Sequence, residues 1–80
     1  MPEAEIIDAR GHRCPVPTLR LRRALEGRPP GTRLTLLATD PMARIDAPFL
    51  MDQLGGRVVT LQEADGVLSI TVETPASPTG

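Results

Sequence analysis

Eighty residues with 40% hydrophobic side chains allow one domain around one modest core. A single cysteine excludes an internal disulfide and any multi-cysteine metal site, and it fits a reducing compartment. A formal net charge of −1 argues against general nucleic-acid binding, and no stretch approaches membrane-spanning length.

The chain opens on an acidic segment, Met1 to Glu5, with no apolar run of the kind a signal peptide needs. A cytoplasmic protein is the expectation. Glu5 to Ala9 reads as a first strand, and Gly11 permits a sharp turn after it. Pro15 suits the first position of a helix running to Leu25, which makes Cys14 its N-cap. On that helix Pro17, Leu21, Ala24 and Leu25 share the face that meets a sheet. Val16 and Leu19 fall on the other side, near Arg20 and Arg23. Gly27-Arg28-Pro29-Pro30-Gly31 ends the helix.

Arg33 to Thr39 alternates as a second strand, with Leu34, Leu36 and Ala38 on one face. Asp40-Pro41 stops it. Met42 to Ile45 has room for one helical turn, and Pro48 predicts a break. Asp46 or Ala47 then caps a second segment, Pro48 to Leu54, closed by Gly55-Gly56. Val58 to Glu63 and Val67 to Glu73 form a hairpin around Asp65-Gly66. Residues 1–73 make a single domain, and 74–80 read as a disordered tail. The order βαβαββ predicts an α+β two-layer sandwich with both helices on one face.

The chemistry concentrates between the first strand and the first helix. Pro15 and Pro17 lack an N–H, so the first turn keeps few free donors, chiefly Val16 and Thr18. A sulfur at the N-cap receives one of them and sits at the positive end of the helix dipole, which favours thiolate. Arg13 and Arg10 push the same way. If the first two strands are parallel, Cys14 and Asp40 leave the same sheet edge, and Asp40, Arg44 and Asp46 surround the thiol.

The basic residues are all arginines, and Arg10, Arg13, Arg20, Arg22, Arg23 and Arg28 crowd one span. From Pro41 onward acids predominate. That asymmetry predicts a docking face for an acidic partner or phosphate, with Val16 and Leu19 as its apolar centre and Arg20 and Arg23 at its rim.

Asp8-x-x-Gly11-x-x-Cys14-Pro15-x-Pro17, followed by Asp40-Pro41 and Asp46-Ala47-Pro48, resembles the TusA/SirA family of small sulfur-carrier proteins. The resemblance spans roughly Ile6 to Glu73. It implies a mixed four-stranded sheet and a persulfide carried on Cys14, with Asp40 and Asp46 near the cysteine. No cofactor is implied beyond that covalent sulfur. The implied partners are a sulfur donor protein, such as a cysteine desulfurase or rhodanese, and a downstream thiol acceptor protein. Neither membrane nor direct nucleic-acid binding is expected, and the chain is expected to be a monomer. Such relays feed tRNA thiolation, molybdenum-cofactor enzymes or sulfur oxidation, and the residues do not choose among them. The competing reading is a non-enzymatic regulatory or interaction module in which Cys14 merely starts a helix. His12 departs from the family, where its position is usually leucine. It is expected to pack there rather than tune Cys14.

Overall fold

The computed structural model describes residues 5–13 and 16–75. Its elements are β1 (Glu5–Ala9), α1 (Val16–Leu25), β2 (Arg33–Ala38), α2 (Ala43–Leu54), β3 (Arg57–Ala64) and β4 (Val67–Glu73). The strands lie in the order β1-β2-β4-β3. β1 and β2 run parallel, with Ile7 opposite Leu36 and Ala9 opposite Ala38. β4 is antiparallel to both of its neighbours. The mixed sheet with two helices is the α+β sandwich that the sequence pattern predicts.

Alternation decides which face is covered. Ile7, Ala9, Leu34, Leu36, Ala38, Leu68, Ile70 and Val72 are buried on one side of the sheet. Leu21 and Leu25 of α1 and Ala43, Ala47, Leu50 and Met51 of α2 join them in one cluster. Each large aliphatic side chain removed from water contributes about 1.5–3 kcal/mol. The other face is mixed, with exposed Ile6 and half-buried Leu37 among polar side chains. Thr35 and Thr71 share a hydroxyl hydrogen bond at 2.8 Å. Glu73 lies between Arg33, at 3.0 Å, and Arg57, at 2.9 Å. Asp65 (φ 53°) and Gly66 (φ 78°) are both left-handed, which gives the turn whose twist matches the β3–β4 hairpin.

Pro48 does not break the chain as expected: α2 runs through it from Ala43 to Leu54. The proline removes one backbone bond, the one its missing N–H would donate to the carbonyl of the exposed Arg44. Buried Ala43 and Ala47 before it, and Leu50 and Met51 after it, hold both halves against the sheet. Their combined burial offsets the roughly 3 kcal/mol that an interior proline costs. Asp46 is consequently no cap but lies in the first turn, where a carboxylate complements the dipole. Gly55 at φ 79° ends the helix, as expected, and the Gly56 N–H donates to the Met51 carbonyl at 2.9 Å.

Thr74 also departs from expectation. Assigned by composition to the tail, it is only 7% exposed. Its Oγ1 accepts from the Thr32 N–H and donates to the Pro29 carbonyl, both at 2.8 Å. Its own N–H donates to the Thr32 carbonyl at 2.9 Å. The fold therefore extends past Glu73, while the tail residues 76–80 lie outside the described ones. Among the described residues no helix is long and apolar enough to cross a membrane.

Candidate functional site

Because β1 and β2 are parallel and in register at Ala9 and Ala38, the segments that follow them leave the same end of the sheet. Both helices begin at that end, and the β3–β4 turn lies there too, since Leu68 pairs with Ala38. Ligand and reaction sites of open sheets favour such an edge.

The segment entering the cysteine motif is fixed stepwise. The Arg10 N–H donates to Asp8 Oδ1 at 3.1 Å. Gly11 adopts φ 84°, which glycine tolerates without strain, and its N–H donates to Thr39 Oγ1 at 2.9 Å. The His12 N–H reaches the Ala9 carbonyl at 3.2 Å, and the Val16 N–H reaches the Arg13 carbonyl at 2.9 Å. Cys14 and Pro15, the expected N-cap and first helical residue, lie outside the described residues. Pro17 is buried as its wheel position predicts.

The charges around this segment differ from expectation. Arg10 is engaged by Asp8 through two side-chain bonds, at 2.9 and 2.8 Å. Those bonds hold the Asp8 carboxyl well below the usual carboxylate range and raise Arg10 in turn. Arg10 is therefore already paired with an acid two residues away. Arg20 donates to the Asp8 carbonyl at 2.7 Å, so it is drawn along β1. Arg44 ion-pairs with Glu63 near the end of β3, the edge strand farthest from β1. Asp40 accepts the Met42 N–H on Oδ1 at 2.9 Å and the Ala43 N–H on its carbonyl at 3.1 Å, which starts α2. Asp46 is half-buried in the first turn of α2. Arg13 is exposed. His12 is exposed as well, so the expectation that it packs in place of a leucine is overturned.

Val16, Leu19, Arg20 and Arg23 are all exposed on α1. Sequence reasoning missed what lies beside them. Phe49, the one aromatic residue, is 64% exposed and Ile45 62%, both on α2, against 55% for Leu19. Leu19 and Phe49 line one groove of about 280 Å³ between the helices, together with Thr18, Arg22, Asp46, Leu50 and Gln53. The signal was present: Ile45 and Phe49 stand at i, i+4, a second apolar stripe beside the buried one. Reading Pro48 as a break divided that stripe in two.

These features define a four-stranded α+β domain whose chemistry is gathered at one end of the sheet, with its single cysteine in the segment joining β1 to α1. The family model for the sulfurtransferase TusA matches residues 5–74, and the chain belongs to that family of sulfur carriers. It is 38% identical over 68 residues to a putative sulfur carrier protein of Archaeoglobus fulgidus, covering 84% of this chain and 88% of that one. It is 38% identical over 66 residues to the sulfur carrier protein TusA of Pseudomonas fluorescens, covering 82% of this chain and 80% of the relative. The crystal structure of a SirA-like protein from Desulfitobacterium hafniense superposes with a TM-score of 0.78 at 29% identity. That match covers 88% of this chain and 96% of the other.

Proposed function

We propose that this chain relays sulfane sulfur as a persulfide on Cys14. The observation that carries the reading is family membership together with a single cysteine in the Cys14-Pro15-Val16-Pro17 motif, whose last two residues open α1. The Cys14 thiolate attacks the outer sulfur of a donor protein's persulfide, the donor's S–S bond breaks, and the donor thiolate leaves. An acceptor thiolate then attacks the outer sulfur on Cys14, and the Cys14 thiolate departs. Each step exchanges one S–S bond for another, so no external oxidant or reductant enters. The positive end of the α1 dipole and the Arg13 charge favour the thiolate that both steps require. With no second cysteine to resolve the persulfide, the acceptor is a separate protein, and a reducing cytoplasm suits the relay. The donor and acceptor dock on the exposed α1 residues Val16, Leu19 and Arg23, with Phe49 as a further apolar anchor.

Intact mass after incubation with a persulfidated cysteine desulfurase or rhodanese tests the reading. One sulfur atom's mass should be gained, reversed by reductant and absent from Cys14→Ser. No adduct on the folded wild-type chain with either donor overturns it.

A further inference from the structure

We propose that Thr39 is a positioning residue for Cys14, an inference that rests on the persulfide reading above. Gly11 stands three residues ahead of the cysteine, and its N–H donates to Thr39 Oγ1 at 2.9 Å. The other hydrogen bonds of segment 10–13 among the described residues are local: Arg10 to Asp8, His12 to Ala9, Val16 to Arg13. Among the described residues, the Thr39 hydroxyl thus ties the segment leading to the cysteine to the chain that leaves β2. Gly11 sits at φ 84° with nothing near the space a side chain would occupy, so packing does not hold it. A glycine turn held by neither packing nor a partner samples many backbone states.

The geometry follows from the register. Ala9 opposite Ala38 ends the ladder, and Thr39 is the next residue of the β2 chain. β2 stops one residue short of the expected strand, which leaves the Thr39 side chain to serve the loop rather than a ladder position. The neighbouring Asp40 carboxylate accepts the Met42 N–H and starts α2. Two consecutive side chains therefore fix the approach to Cys14 and the beginning of α2. Releasing the first frees the Gly11 backbone, three residues ahead of Cys14, and so loosens the approach to the cysteine. The hydroxyl is needed; the rest of the side chain is not.

The test compares Thr39→Val, which keeps the branched shape without an acceptor, with Thr39→Ser, which keeps the acceptor. In Thr39→Val, iodoacetamide alkylation of Cys14 at neutral pH should slow about fivefold. Its rate–pH midpoint should move toward the free-cysteine value of about 8.5. Exchange of the Gly11 amide with solvent should quicken by a similar factor, and Thr39→Ser should return all three readouts to within about twofold of wild type. Thr39 is exposed, so the valine variant is expected to fold; should it not, Thr39→Ala takes its place with the same readouts. Wild-type alkylation and amide exchange in Thr39→Val, or no restoration by Thr39→Ser, overturns the proposal. Alkylation needs no sulfur donor. A wild-type chain that alkylates but never gains sulfur sinks the relay while leaving the Thr39 comparison standing, and the converse pattern sinks Thr39 alone.

Discussion

The two ends of this sandwich are filled by different side chains. Where the helices begin, four buried alanines, Ala9, Ala38, Ala43 and Ala47, share the core with Pro17 and Leu68. Where they end, it is made of Leu25, Leu34, Met51 and Val72. Short side chains allow a helix to approach its neighbour closely, because interaxial spacing follows the residues at the contact. They also bury little apolar area per residue, so that end relies on directed bonds such as Gly11 to Thr39. The opposite end combines large aliphatics with the buried Thr74 bonds and the Arg33–Glu73–Arg57 bridge. The first end carries the segment that leads to the proposed reacting cysteine; the second carries larger aliphatic side chains. Substitutions at the first should show in reactivity, and at the second in melting temperature.

The largest effect is expected where the alanine packing is violated. Ala38 is fully buried between β1 and β4, so Ala38→Leu forces the layers apart. A loss of about 3 kcal/mol, or more than about 12 °C in melting temperature by calorimetry, is expected. A melting temperature within a few degrees of wild type would show that this end is loosely packed.

Next comes the far end. Thr74→Val leaves the Thr32 N–H without its acceptor in a buried site. It should cost about 1–3 kcal/mol, roughly 5–15 °C, while Cys14 alkylation stays at the wild-type rate. Slowed alkylation at equal folded fraction would break the division between the two ends.

Acid should separate the ends more gently. Arg33 and Arg57 hold Glu73 below its usual range, Arg28 does the same for Glu5, and Arg10 for Asp8. A lowered folded pKa gives stability that is present above the unfolded value, near about 4, and lost as pH falls toward the folded one. Melting temperature should therefore hold level through neutral pH and decline below about pH 4, less steeply in high salt because these groups are exposed. A Glu73→Gln chain should show a shallower decline.

The smallest stability change is expected on the docking face. Leu19→Asp with Phe49→Ser alters exposed residues, so the melting temperature should move by only about 2 °C. Sulfur exchange with a donor protein should slow at least about tenfold, since a few anchor residues dominate such contacts. Arg22→Glu with Arg23→Glu is a cleaner charge test than one including Arg20, which already bonds the Asp8 carbonyl. Exchange at the wild-type rate in both pairs would reject this face.

Most of the fold was legible because period-two alternation in 33–38 and 67–73 and the Asp65-Gly66 turn are local signals. The site was legible in part. Cys14 stands out by chemistry alone, and the parallel β1–β2 pair places Asp40 at the expected end of the sheet. What was hidden depended on distant partners. Thr74 sits in tail-like composition, and its bonds come from Thr32 and Pro29. The Asp8–Arg10 pair, by contrast, is a local i, i+2 contact that the sequence offered and the charge reading passed over. Pro48 misled because propensity is a local cost, and here tertiary burial on both sides exceeds it. The exposed Phe49 stripe was lost with it.

Strand order also governs how this chain leaves the ribosome. β4 is the last of the four strands to be made, yet it occupies the middle of the sheet. A nascent chain that has released only β1 to β3 holds a β1–β2 pair and a separate third strand, with open edges on β2 and β3. Leu34 and Leu36, sealed in the finished molecule, then lack their β4 neighbours Val72 and Ile70. The full sheet cannot close until β4 has been made, and until then those two edges offer unpaired backbone to any other strand.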